Sequence, residues 1–175
     1  AGMFTTNAFK AAPVLIDQDR IRSGVARAIV ANSGVANAAT GPDGIADALA
    51  VSIAVSSELG IEDESVLVAS TGIIGHRLPV KKITSGVKRL VAGLHPGGIP
   101  DAEAGIMTTD RFPKIASRKG QIGGREITLC GIAKGAGMIQ PNMATMLAFV
   151  MTDAAIERNT LDGTFRNAIS GSFNA

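Results

Sequence analysis

The spacing of apolar positions changes along the chain in a way that separates strands from helices. Continuous apolar runs occur at Ala28-Ile29-Val30-Ala31, in Val66 to Ser70 and in Met146 to Met151. Such runs predict strands buried on both faces, within Arg27 to Asn32 for the first. Between them, apolar residues recur every three or four positions. Ile45, Leu49, Ile53 and Ser56 mark one face of a helix over Asp43 to Leu59, with Asp43 as its cap and Gly60 as its stop. Ile83, Val87, Leu90 and Leu94 mark a second helix over Leu78 to Leu94, entered through Pro79, with Lys81, Lys82, Lys88 and Arg89 facing water. A short helix over Asp101 to Met107 follows. Leu161, Phe165, Ile169 and Phe173 predict a third amphipathic helix over Asn159 to Phe173. Met3 to Thr6 reads as a short strand, and Lys114 to Ser117 with Arg125 to Ile132 as a hairpin around Gly120 to Gly124. Strands interleaved with Ala-rich helices predict an α/β chain, its sheets covered by helices.

Composition narrows the chemistry. A chain of 175 residues fits one domain with a real core. A net charge of +2, with six Phe and no Trp or Tyr, argues against a nucleic-acid surface. The single Cys130 makes neither an internal disulfide nor a zinc set, which fits a reducing, cytoplasmic setting; within Ile127 to Ile132 it reads as core packing. His76 and His95 lack ligand spacing, so no metal site is expected. No apolar run reaches the roughly 20 residues of a membrane helix, and no signal peptide is visible. Ala1 opens on strand-like residues without an initiator Met, and Ala175 stops just after an apolar pattern, as expected of part of a longer chain. Gly135-x-Gly137 lacks the third glycine of a dinucleotide fingerprint, and no phosphate loop, Gly-x-Ser-x-Gly elbow, zinc helix or internal repeat is present.

One stretch carries candidate covalent chemistry. Gly135, Gly137 and Pro141 rule out a continuous helix before the apolar run at Met146 to Met151. Thr145 stands at the seam, behind the small Ala144. A hydroxyl there can attack the 144–145 carbonyl, take the acyl group from nitrogen to oxygen and lose it to water. The product is a threonine with its own free α-amine, a nucleophile with a built-in base. An ordinary β-branched residue starting a strand explains the same Thr. Thr71 and Gly72 head a turn that ends the Val66 to Ser70 strand. Such a turn can aim a backbone N–H and a hydroxyl at a developing oxyanion, or can simply be a turn. Lys134 leads into the glycine loop, where it can hold a substrate carboxylate and assist cleavage, or form a structural ion pair. The small and amide residues of Asn32 to Gly44 make either a self-held loop or the wall of a cleft.

The run Lys134-Gly-x-Gly-Met-Ile-x-Pro-Asn-Met-Ala-Thr145-Met-Leu147 resembles the cleavage-site motif of the ornithine acetyltransferases, bifunctional glutamate N-acetyltransferases that process themselves. Phe4-Thr-Thr-Asn7, Ala11-Ala-Pro-Val14, Asn32-Ser-Gly-x-Ala-Asn-Ala38, Ser70-Thr-Gly-x-Ile-Gly75 and Met107-Thr-Thr-Asp110 extend the likeness over the whole chain. The resemblance implies the layered sheet-and-helix fold of the ornithine acetyltransferase and aminopeptidase-like self-processing superfamily. It implies cleavage between Ala144 and Thr145, Thr145 as nucleophile, and Thr71 and Gly72 as the oxyanion hole. Thr108 (with Thr109 as close competitor), Lys134 and Thr145 would contact substrate. Acetyl would pass from N-acetylornithine to glutamate through acetyl-Thr145. No bound cofactor is implied, and acetyl-coenzyme A serves some members as donor. The chain would be one incomplete domain, residues 1–144 belonging to an α subunit and 145–175 opening a β subunit, within an α2β2 heterotetramer. Its compartment would be the cytoplasm, or mitochondria in a eukaryote. The alternatives are a self-processing aminopeptidase-like hydrolase and a non-catalytic module that binds a small anion. An unbroken chain across 144–145 departs from the processed form that the family implies.

Overall fold

A computed structural model of the chain describes residues 1–136 and 146–173. Two sheets organise it. Strands β1 (Ala28–Val35) and β2 (Val66–Ile73) pair in parallel, in register from Ala28 opposite Val66 to Gly34 opposite Gly72. Strands β3 (Ile115–Ile122), β4 (Arg125–Lys134) and β5 (Leu147–Thr152) form an antiparallel sheet in chain order. Among the described residues five α-helices accompany them: α1 (Ala12–Arg20), α2 (Gly41–Leu59), α3 (Val80–Ala92), α4 (Ile99–Ile106) and α5 (Arg158–Ser170).

The core lies where α1, α2 and α3 meet β2. Ile16, Ala48 and Val68 form one apolar cluster, and Val55, Val66 and Val87 form the next. Removing such surface from water contributes about 25 cal/mol per Å². The core is also cross-braced by polar groups. Arg20 donates to Ser52 Oγ (2.6 Å), to the Val66 carbonyl (2.5 Å) and to Asp63 (2.5 Å), while Ser52 also bonds to Asp63. Asp17 accepts the Val68 N–H at 3.0 Å.

Several expected details are corrected by packing. Residues 3–6 form no strand, and α1, which sequence periodicity did not predict, begins at Ala12 with Pro13 in its first turn. Helix α2 starts at Gly41 rather than Asp43; Asp43 caps nothing and instead pairs with Arg77 at 3.0 Å. Of its expected face Ser56 is buried and Ile45 and Leu49 pack against the core, but Ile53 is exposed, and the buried side is completed by Gly44, Asp47, Ala48, Val51, Ser52 and Val55. In α3 only Val87 of the expected stripe is buried; Leu90 is exposed, as is Leu94 beyond the helix end, and Val91 packs inward instead. Ile29 is exposed, so β1 is covered on one face only. Strand β5 likewise is half-buried at Leu147 to Phe149 and exposed from Val150 onward. The hairpin strands run longer than expected and turn at Gly123-Gly124, both with positive φ. Cys130 is partly exposed on β4, opposite Ser117, rather than in a closed core. Helix α5 keeps its expected face, with Ile169 buried and Leu161, Phe165 and Phe173 half-buried.

Helix α4 joins the two sheets. It packs against both β1 and β4, Ile106 is buried, and Ser33 Oγ donates to the Gly105 carbonyl at 2.8 Å. That bridge sets the end of β2 beside the end of β4.

Candidate active site

Strand β4 ends on Lys134, whose side chain is buried although it carries an ammonium. A buried charge needs hydrogen-bond partners. Lys134 Nζ donates to Thr71 Oγ1 at 2.9 Å and to Thr108 Oγ1 at 2.8 Å. These hydroxyls come from β2 and from the 107–114 loop, so three separate segments converge on one cation. The structural ion pair that sequence left open is not formed, for no carboxylate lies within ion-pair distance of Nζ among the described residues. Thr71 accepts from the ammonium and so keeps its own O–H proton for donation. Both competing threonines of the 107–110 run are exposed, and it is Thr108 whose hydroxyl accepts from Lys134.

Thr71 and Gly72 lie within β2, which continues to Ile73, so the expected turn at 71 is strand. Thr71 is buried while Gly72 is solvent-exposed. Glycine is required at 72 by the neighbouring strand. Its φ is +131°, and a Cβ would come within 2.6 Å of Val35 N and closer still to the Gly34 carbonyl group. The close approach inferred from this glycine is therefore that of β1. The 36–44 loop is held by its own side chains. Asn37 is fully buried with φ +50°, donates to the Gly44 carbonyl at 2.7 Å and accepts the Thr40 hydroxyl at 2.8 Å. Its amide therefore does not face a cleft.

A carboxylate that sequence reading did not single out stands beside the cluster. Asp110 closes the Met-Thr-Thr-Asp run, and its side chain has no solvent exposure. It accepts Lys114 Nζ at 2.5 Å, the Gly135 N–H at 2.9 Å and the Thr108 N–H at 3.3 Å. Burial acts to raise its pKa, but the Lys114 ammonium and the two backbone donors outweigh it and hold the carboxyl well below its usual range. Lys134 moves down from the ordinary lysine value, mainly through burial; Asp110 pulls it back up and Lys114 adds to the depression. Lys114 also sits 5.3 Å from the Phe112 ring centre. Glu103 of α4, fully buried, accepts the Lys114 N–H at 2.9 Å, and its second oxygen has no partner among the described residues.

Ala144 and Thr145, the expected cleavage pair, lie outside the described residues. Among the described residues no cluster of His, Cys, Asp and Glu could hold a metal ion, and no helix is long and apolar enough to cross a membrane.

The mixed α/β fold that carries this cluster is shared with known proteins. The model of the ArgJ family matches residues 1–175, and the chain belongs to that family. The arginine biosynthesis bifunctional protein ArgJ of Geobacter sulfurreducens is 53% identical over 175 residues, covering 100% of this chain and 44% of the relative. The Caldanaerobacter subterraneus protein of the same name is 49% identical over 174 residues, covering 43% of its length. The chain thus spans less than half the length of these relatives. The crystal structure of ArgJ from Bacillus halodurans superposes with a TM-score of 0.75 at 37% identity, covering 82% of this chain and 76% of that one. Ornithine acetyltransferase from Mycobacterium tuberculosis, solved in complex with ornithine, gives 0.70 at 40% identity over 81% of this chain and 75% of that one.

Proposed function

We propose that the full-length protein is a self-processing acetyltransferase of arginine biosynthesis that moves acetyl from N-acetylornithine to glutamate. The observation that carries this reading is the buried Lys134 ammonium held by Thr71 and Thr108, at the start of the segment that leads to Thr145. The Mycobacterium tuberculosis relative binds ornithine, and its likeness supports a carboxylate-bearing amino acid as ligand.

In the first reaction the Thr145 hydroxyl adds to the Ala144 carbonyl carbon, the C–N bond breaks, and the hydroxyl proton passes to the leaving amine. Water then hydrolyses the ester, leaving a carboxylate on Ala144 and a free α-amine on Thr145. In the second, Thr145 Oγ attacks the acetyl carbon of N-acetylornithine, and ornithine leaves with its amine protonated by the hydroxyl proton. The amine of glutamate then takes the acetyl group and returns a proton to Thr145. Each step passes through an oxyanion, which the Thr71 hydroxyl and the Gly72 N–H would receive; removing one such donor typically costs about 2.7–4 kcal/mol of barrier. Lys134 would hold the substrate carboxylate beside Thr108.

On this reading residues 1–144 belong to the α subunit of a cytoplasmic α2β2 enzyme and 145–175 open β.

The test uses the full-length protein. Wild type should yield a second chain beginning at Thr145, as read by denaturing gel and N-terminal sequencing, and Thr145→Ala should stay whole. Mixed with N-acetylornithine and glutamate, wild type should form N-acetylglutamate and, after acid quench, carry an acetyl group on Thr145. Hydrolysis of N-acetylornithine without transfer would instead identify a hydrolase, and a whole chain without adduct would identify a binding module. Repeating the assay with acetyl-coenzyme A decides whether it is a donor.

A further inference from the structure

The Lys134 cluster depends on how three segments are held in register, and one side chain touches two of them. Asp110 bonds at once to the Thr108 amide within its own loop, to the Gly135 amide where β4 gives way to the segment leading to Thr145, and to Lys114 at the far end of the loop. Lys114 is in turn fixed to α4 by Glu103. All three donors are groups of the protein itself, so Asp110 acts through its neighbours.

We infer that Asp110 is the positioning residue of this site: its carboxylate ties the Thr108 loop to Gly135 and thereby sets both the Lys134 ammonium and the entry of the chain toward Thr145. The inference rests on the self-processing reading above. Three bonds to one buried carboxylate allow little drift, and a displacement of about 1 Å at a reacting centre can cost about 10²-fold in rate. Asp110 has an electrostatic part as well, because its negative charge favours the protonated form of Lys134. The charged groups facing Lys134 are Asp110 and Lys114 from the 107–114 loop. Strand β2 offers the uncharged Thr71, the β5 partner of Lys134 is Leu147, and α4 carries Glu103, one oxygen of which accepts the Lys114 backbone N–H while the other has no partner among the described residues. Removing the Asp110 charge leaves Lys114 unopposed, so Lys134 should lose its proton at lower pH.

The experiment follows the rate of processing against pH in full-length protein for wild type, Asp110→Asn, Asp110→Ala and Thr145→Ala. Asp110→Ala should process about 10²-fold more slowly. Asp110→Asn, whose amide oxygen can still accept a backbone N–H, should fall between and show its alkaline limb displaced to lower pH. If Asp110→Ala does not fold, the asparagine variant carries the test alone. Both variants processing at the wild-type rate with superimposable profiles would overturn the inference while leaving the proposed function intact. So would a slow Asp110→Asn with an unmoved limb and a lowered melting temperature, since that is a merely structural role. Wild type behaving like Thr145→Ala would overturn the proposed function itself, and this inference with it.

Discussion

In the parallel pair, Val66 is fully buried and Val68 is 5% exposed, whereas every residue of β3 in the antiparallel sheet is exposed. The first sheet is held by apolar packing against three helices. The second is placed largely by polar ties at one end: Lys134 to Thr71 and Thr108, Gly135 to Asp110, and α4 through Glu103. The candidate site lies where these two modes meet. Its stability and its geometry should therefore respond to different mutations.

The sharpest way to break the contrast is at Gly72, where the first sheet closes on itself. Gly72→Ala meets both a left-handed backbone and the Gly34 carbonyl, and should destabilise by about 3–5 kcal/mol in urea unfolding. Next is a matched pair of deletions. Val66→Ala removes buried methyls and should cost roughly 2–3 kcal/mol. Val150→Ala, on the exposed half of β5, should change stability by less than about 0.5 kcal/mol in the same measurement. Equal losses would show that the antiparallel sheet is packed as tightly as the parallel one.

A further difference is a pH dependence on the side of the first sheet, at Asp17 of α1. Burial lifts the Asp17 carboxyl to about 6, only partly offset by the Val68 N–H and by Arg20. A raised folded-state pKa contributes stability that is full below about pH 4 and lost as pH rises through about 6. Asp110 works in the opposite sense, its contribution present above about pH 4 and lost only in stronger acid. Between pH 5 and pH 8, by order of magnitude, Asp17 therefore dominates this pair. Asp17→Asn should raise stability at pH 8 by about 1–2 kcal/mol and flatten the melting-temperature profile across that range.

The sequence reveals the second sheet and the helices unevenly, for physical reasons. Helix α2 and strand β2 were legible because their apolar spacing is long and regular. Helix α1 was not, since Ala12-Pro13-Val14-Leu15-Ile16-Asp17 buries an acid beside its aliphatic residues and weakens the periodic signal. Leu90 and Leu94 fit a helical stripe yet face solvent, because α3 rotates Val87 and Val91 onto α2. At the site, Thr71 and Lys134 are candidates on residue chemistry and Thr108 on family likeness, and Lys134 donates to both threonines. Asp110 is not legible as a site residue in the Met107-Thr-Thr-Asp110 run, because a carboxylate next to two threonines in a polar turn gives no hint that it will be buried. At Gly72 the glycine itself is explained by the close approach of β1, which a single sequence does not reveal.

The antiparallel sheet has two outer edges among the described residues, and they differ in character. Strand β3 interrupts its edge with Arg118, Lys119 and Gly120, features that discourage another chain from adding on. Strand β5 reads Leu-Ala-Phe-Val-Met-Thr, without charge, proline or glycine. Such a hexapeptide is a template for intermolecular strand addition when it is left bare. Aggregation of partly unfolded protein should therefore start on that side, with β3 acting as its built-in gatekeeper on the other.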